Sequence, residues 1–258
     1  MNNLIYKTIV KTTLIIIFIG LSSFTLKKVL GTNEIKTEKN GFAVLELFTS
    51  LGCSSCPPAD AVLAKFAMQN NSSIIPLAFH IDYWNRLGWN DPFSKAQFTE
   101  RQRNYASQLN VQGNYTPQIV INGKHELVGS YKKEIESIVS EELALPSNFN
   151  TTIKKATLEN NQITIEFEAD KYPNTVINFA LVKKKELTII KRGENSGLKQ
   201  TNYNIVYDFN SIPNTPKLCN KTSFKFKSEW LPSDFMIVAY LQNIQSGQII
   251  AGTKSTIN

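Results

Sequence analysis

Residues 46 to 60 read ELFTSLGCSSCPPAD, and the fold turns on this stretch. It sets two thiols, Cys53 and Cys56, between an apolar run and the start of an apolar repeat at helical spacing. Ala43 to Phe48 is a short run of strand-forming residues, and Ala61 to Met68 resumes with the helical period. Two thiols at this spacing close a disulfide or share a metal, and at a strand-to-helix turn the pattern reads as a redox motif. In such sites the first cysteine attacks as the thiolate and the second resolves the mixed disulfide. That assigns the nucleophile to Cys53 and the resolving thiol to Cys56. A purely structural disulfide is a weaker reading, because a two-residue loop constrains little of the unfolded chain. A metal half-site stays open.

Outward from the motif, the pattern predicts a strand over 43–49, a helix over 58–69 and a strand over 74–81. Asp91-Pro92 opens an amphipathic helix over 94–109. Two short strands, 118–122 and 125–129, flank Asn122-Gly123, a hairpin signal, and a helix follows over 131–144. This order predicts an α/β thioredoxin-like domain over 41–146. After Pro146 the pattern changes to short strands, over 163–169, 175–182, 187–191, 204–209, 222–226, 235–242 and 248–253. They predict an all-β, sandwich-like domain over 151–258.

The net charge of +7 does not point to nucleic acid. Four of the 28 basic residues, Lys7, Lys11, Lys27 and Lys28, precede the first acidic one. Residues 1–30 carry Lys7 and Lys11 before the apolar stretch Leu14 to Phe24, the pattern of a signal peptide or an N-terminal membrane anchor through residues 4–26. The folded part is therefore expected to be exported, periplasmic or secreted, where a cysteine pair tends to be oxidised. Cys219 has no evident partner and reads as a buried small apolar residue. No cofactor is expected.

Three neighbours bear on the cysteine pair. Glu46 lies within the apolar strand, where a carboxylate is costly to desolvate, and is the candidate proton acceptor for the resolving thiol. Ala78 to Trp89, AFHIDYWNRLGW, places aromatic residues after the second strand. Trp84 from this segment, together with Tyr115, is a candidate for holding substrate. His80 reads as a proton carrier, a metal ligand or a satisfied buried histidine. Thr116-Pro117 directly precedes the strand at 118.

Together ELFTSLGCSSCPPAD, AFHIDYWNRLGW, FTERQRNYA, YTPQIVING and VGS resemble the exported thioredoxin-like family catalogued as domain of unknown function 1223 (DUF1223). After residue 150 the likeness persists mainly in RGENSGLKQTNYNIV, residues 192–206. The resemblance implies a thioredoxin-like fold, export, a thiol redox role on protein thiols or disulfides with a redox partner protein, and a cis Pro117 packed against the motif beside Thr116. It supplies no substrate. Two departures from ordinary thioredoxins stand out, Ser54-Ser55 between the cysteines and Pro57-Pro58 after them, which predict a helix that starts near Pro58 and gives Cys53 little help. Two other functions compete with the oxidoreductase. One is a copper or zinc module using Cys53, Cys56 and His80 or His125. The other is a non-catalytic binding protein whose second half carries the function.

Overall fold

Two apolar runs form a parallel pair at the centre of the sheet. The computed structural model describes residues 41–215 and 220–258. β1 (Ala43–Thr49) and β2 (Ile74–His80) pair from Ala43 opposite Ile74 to Thr49 opposite His80. Every residue of both strands is buried, which explains why each reads as a continuous apolar run. Between them α1 (Pro57–Met68) carries the chain back. After α2 (Ala96–Gln108), β3 (Gln118–Ile121) pairs antiparallel with β1, and β4 (His125–Val128) with β3. α3 (Lys132–Ala144) follows.

The two faces of β1 carry different cores. Leu45 and Leu47 meet Leu63 and Phe66 of α1 and Ile135 and Val139 of α3. Val44 and Phe48 face the other way, toward Phe98 and Tyr105 of α2. Each fully buried Leu or Phe contributes roughly 1.5–3 kcal/mol.

The rest of the chain is β-rich: β5 (Thr151–Glu159), β6 (Gln162–Ala169), β7 (Thr175–Ile189), β8 (Lys199–Pro213), β9 (Lys221–Lys225), β10 (Phe235–Asn243) and β11 (Ile249–Thr256). The expected α/β thioredoxin-like domain followed by an all-β sandwich-like domain is not what forms. β8 lies beside β2 in parallel, so one mixed sheet of eight strands runs β11-β10-β7-β8-β2-β1-β3-β4 through both halves of the sequence. The small sheet β5-β6-β9 packs on one face of β7 and β10, through Ile163, Ile165 and Phe167 against Phe179, Leu181 and Ile237. The opposite face of β7 and β10 turns Ala180, Val182, Val238 and Tyr240 into the core that also holds Val44 and Phe48. The sheet therefore curls on itself. At Gly252 of β11 a Cβ would lie 3.0 Å from Ile75 Cδ1 and 3.3 Å from Val44 Cγ2, so a side chain there would crowd the closure.

Pro76 explains why β2 and β8 pair so briefly. It has no N–H for a ladder. The pairing is confined to Ala78 and Ile205, and the Pro76 carbonyl accepts instead from Asn204 Nδ2 (2.9 Å).

The segments expected as separate strands over 175–182 and 187–191 are one strand of 15 residues. The polar run Lys183 to Glu186 does not break it, because beyond Val182 it continues as a ribbon with β8, from Lys183 opposite Ile205 to Ile189 opposite Lys199. That ribbon carries the loop 190–198 to the cysteine motif. The expected boundary near 146–151 falls in the connection between α3 and β5. The expected leader or anchor over residues 1–30, and Cys219, lie outside the described residues. Among the described residues no helix is long and apolar enough to cross a membrane.

Candidate functional site

Cys53 and Cys56 form a disulfide in the turn that joins β1 to α1, and both are fully buried. The turn is closed by Cys53 N–H to Ser50 O and Cys56 N–H to Cys53 O, both 3.2 Å. α1 begins at Pro57, one residue earlier than expected, with Cys56 as its N-cap residue. The first two helical positions are prolines, which have no N–H. The next two N–H groups, of Ala59 and Asp60, both donate to Cys56 O at 2.9 and 3.0 Å. Thus none of the first four backbone groups of the helix is free to stabilise a cysteine thiolate.

A side chain does that work instead. The Thr116-Pro117 bond is cis and brings Thr116 against the motif. Thr116 Oγ1 donates to Cys53 Sγ (3.4 Å) and accepts from Trp84 Nε1 (2.8 Å). With Trp84 occupying the oxygen as donor, the hydroxyl proton is directed at the sulfur. Ser55 Oγ lies 3.3 Å from the same sulfur. Ser55 gives its hydroxyl proton to the Thr116 carbonyl (3.4 Å), so the Thr116 hydroxyl is the donor placed to favour a charged Cys53 sulfur. Pro117 packs beside Gly129, where a Cβ would lie 2.6 Å from Leu47 Cδ1, 3.1 Å from Ala59 Cβ and 3.4 Å from Pro117 Cβ. Only glycine lets these three segments meet.

The structure thus unites Cys53, Cys56, Thr116, Pro117 and Trp84. Glu46 and Tyr115 are engaged elsewhere. Glu46 faces α2, where its two oxygens accept from Arg101 Nε and Nη2 (3.0 Å each), and Tyr240 OH donates to it. Arg101 also donates to Tyr105 OH (2.9 Å) and Gln242 Oε1 (3.0 Å), and sits 4.9 Å from the Phe209 ring centre. Burial alone would lower the Arg101 pKa, but the Glu46 carboxylate together with the Tyr105 and Tyr240 hydroxyls raises it. Tyr115 OH donates to Glu126, and its backbone carbonyl accepts from Gln102 Nε2 (2.7 Å). No hydrogen bond of either residue reaches a cysteine.

A buried acid does lie next to the motif, at a position to which sequence reading gave no chemical role. Asp60 follows Cys56 by four residues, and side chains at that spacing share one helix face with Cβ atoms about 5–6 Å apart. Its Oδ2 accepts from Gln200 Nε2 (2.6 Å) and Thr49 Oγ1 (3.3 Å), whereas Oδ1 is buried without a partner. Burial pushes the carboxyl up to about 6, against the opposing pull of the nearby His80 cation and the two hydrogen bonds. His80, on β2, gives Nδ1 to Asp91 Oδ2 (2.7 Å) and leaves Nε2 buried without a partner. Burial alone would lower the imidazole pKa, but Asp91 and Asp60 hold it raised. Asp91 is held low despite its burial by His80 and by the N–H groups of Leu51 (2.8 Å) and Phe93 (3.0 Å). Asp91, His80 and Asp60 therefore form a buried, charge-coupled cluster, with Asp60 four residues past Cys56. The available signal was Asp60 at four residues past Cys56, combined with the lone His80 at the end of β2. Among the described residues no group of three or more His, Cys, Asp or Glu is arranged to hold a metal ion. His125, the other histidine, bonds Glu142 (3.0 Å).

The last wall comes from the far half of the chain. Asn195 Nδ2 donates to the carbonyls of Leu51 (2.9 Å) and Cys53 (2.8 Å), and Glu194 Oε2 accepts from Ser54 N–H (3.1 Å). Ile190 at the base of this loop packs with Leu51, Phe93 and Ile205.

Compared with known proteins, residues 44–242 match the family described as a protein of unknown function, DUF1223. The chain belongs to the DUF1223 family. The matched span includes the disulfide, the Asp60 cluster, Thr116 and the loop that carries Asn195, so the site described above lies wholly within the DUF1223 region. No curated protein matches the chain. A crystal structure of a protein from Agrobacterium tumefaciens is similar over 83% of this chain and 93% of its own, at 25% identity and a TM-score of 0.63. HBP35 of Porphyromonas gingivalis is similar over 85% of this chain and 76% of its own, at 15% identity and a TM-score of 0.57, a likeness of fold.

Proposed function

We propose that this DUF1223 protein is an exported thiol-disulfide oxidoreductase that acts on protein thiols through Cys53 and Cys56. The observation that carries the reading is the pairing of two different environments at one disulfide. Cys53 Sγ receives the Thr116 hydroxyl, and Cys56 has the unpartnered Asp60 carboxylate oxygen on its own helix face. A structural cross-link needs neither.

In the reduced protein the Cys53 thiolate attacks one sulfur of a substrate disulfide, forming a mixed disulfide and expelling the other substrate sulfur as thiolate. The Cys56 thiol gives its proton to Asp60, and the Cys56 thiolate attacks Cys53 Sγ. The internal disulfide forms, and the second substrate sulfur leaves as thiolate and takes up a proton. Two electrons pass from protein to substrate, and a dithiol partner protein returns the pair to its reduced form. Run backward, the same steps oxidise a substrate dithiol. Asp60, with a pKa near 6, accepts a proton at neutral pH and gives it back readily. The basic and apolar pattern of residues 1–30 supports export.

The test is a trapping experiment. Cys56→Ser retains the attacking thiol and accumulates a mixed disulfide with a reactive substrate disulfide, whereas Cys53→Ser does not. Equal trapping by the two variants, or none by either, sinks the proposal.

A further inference from the structure

The loop over residues 190–198 presents to the cysteine turn the groups of a peptide bond. Asn195 directs N–H donors at the Leu51 and Cys53 carbonyls, and Glu194 directs an oxygen at the Ser54 N–H. These three partners are backbone groups of the motif itself. Both cysteines are fully buried in the oxidised form, so an incoming thiolate reaches neither sulfur without local movement of the turn and the loop bonded to it. Ser54 and Ser55 are exposed, with Ser55 Oγ 3.3 Å from Cys53 Sγ, and the loop lies against the backbone of this same turn.

We propose that Glu194 and Asn195 are specificity-determining residues which occupy the place of an extended polypeptide, and that the substrates are flexible protein segments whose own backbone replaces them. This inference rests on the redox reading above and names its substrate class. A polypeptide with cysteine in an extended stretch carries N–H and C=O groups on both sides of its sulfur. It compensates the bonds lost when the loop withdraws. A small thiol opens the same loop and compensates nothing. Hydrogen bonds to the part-buried Leu51 and Cys53 carbonyls are costly to leave unmade, so the difference falls on the rate of attack.

The test compares two thiols of matched chemistry against the oxidised protein: N-acetylcysteine amide, and a blocked decapeptide with one central cysteine. The wild type is expected to be reduced about tenfold faster by the decapeptide, the ratio that one or two net hydrogen bonds support. In Asn195→Ala both rates rise about tenfold, because both thiols displace the loop, and the preference for the decapeptide persists. Glu194→Gln keeps an acceptor and raises the rates less. Asn195→Asp, which keeps the shape without the donors, repeats the test if the alanine variant does not fold. Equal rates with the two thiols in the wild type, or an Asn195→Ala variant in which neither rate rises, overturn the proposal and leave the redox reading standing. If neither thiol reduces the wild-type disulfide, the redox reading falls, and the proposal with it.

Discussion

Replacing Asp60 by asparagine should make the protein more stable and less active. Burial raises the carboxyl from 3.8 to about 6, so at neutral pH the folded state carries an anion it would rather hold protonated. Two pKa units correspond to about 3 kcal/mol. The sign follows from proton binding. Between the unfolded and folded values the folded state binds more protons, so stability falls as pH rises from about 4 through 6 and then levels. The Asp60→Asn side chain would keep an oxygen for Gln200 Nε2 and Thr49 Oγ1 and remove the charge. Asp60 also helps to hold the His80 cation, and that part is lost in the variant, which makes about 3 kcal/mol an upper figure. Urea denaturation of the oxidised proteins at pH 4, 5, 6, 7 and 8 should show a stability gain that is absent at pH 4 and full by pH 7. Thiol exchange at pH 7 should fall by at least about 10²-fold, the usual scale for a lost proton acceptor. A variant less stable than the wild type at pH 7, or a difference independent of pH, refutes the reasoning.

Further outcomes follow from the same geometry. Arg101→Met leaves the Glu46 carboxylate buried and unpaired and should cost about 3–5 kcal/mol, measured by denaturation. The double variant Glu46→Gln, Arg101→Met should recover part of that loss, as coupled neighbours do. Gly129→Ala forces a methyl against Leu47, Ala59 and Pro117 and should cost about 1–3 kcal/mol, while lowering the exchange rate. Thr116→Val removes the donor to Cys53 Sγ and should raise the Cys53 thiol pKa, read by the pH dependence of alkylation of the reduced protein.

The individual elements of the first half, though not the domain expected from them, were legible because they are local. The Asn122-Gly123 hairpin and the buried runs of β1 and β2 each follow from adjacent residues. The joining of β8 to β2 was not, since it pairs Ala78 with Ile205, far away in sequence, and no local period records such a partner. Pro76 was a signal in the right direction, marking a strand whose outer edge cannot form a full ladder. At the site, Cys53, Cys56, Thr116 and Trp84 were read from motif and order. Strand parity turns Glu46 to α2, whereas Asp60, proposed in its place, lies one helical turn past Cys56. Asn195 was invisible as a contact, since only the β7–β8 ribbon brings it back to the motif.

The central claim is that Cys53 and Cys56 form a working redox pair, and it is tested most directly by redox titration of the isolated protein. Oxidised and reduced forms should interconvert reversibly in a single two-electron step. Because the two prolines and the Cys56 carbonyl leave the helix N-terminus no N–H for the thiolate, its stabilisation is limited to the Thr116 hydroxyl, and the midpoint should lie toward the reducing end, near about −270 mV. A disulfide that does not exchange under native conditions contradicts the account, and a midpoint near about −120 mV contradicts its description of the thiolate.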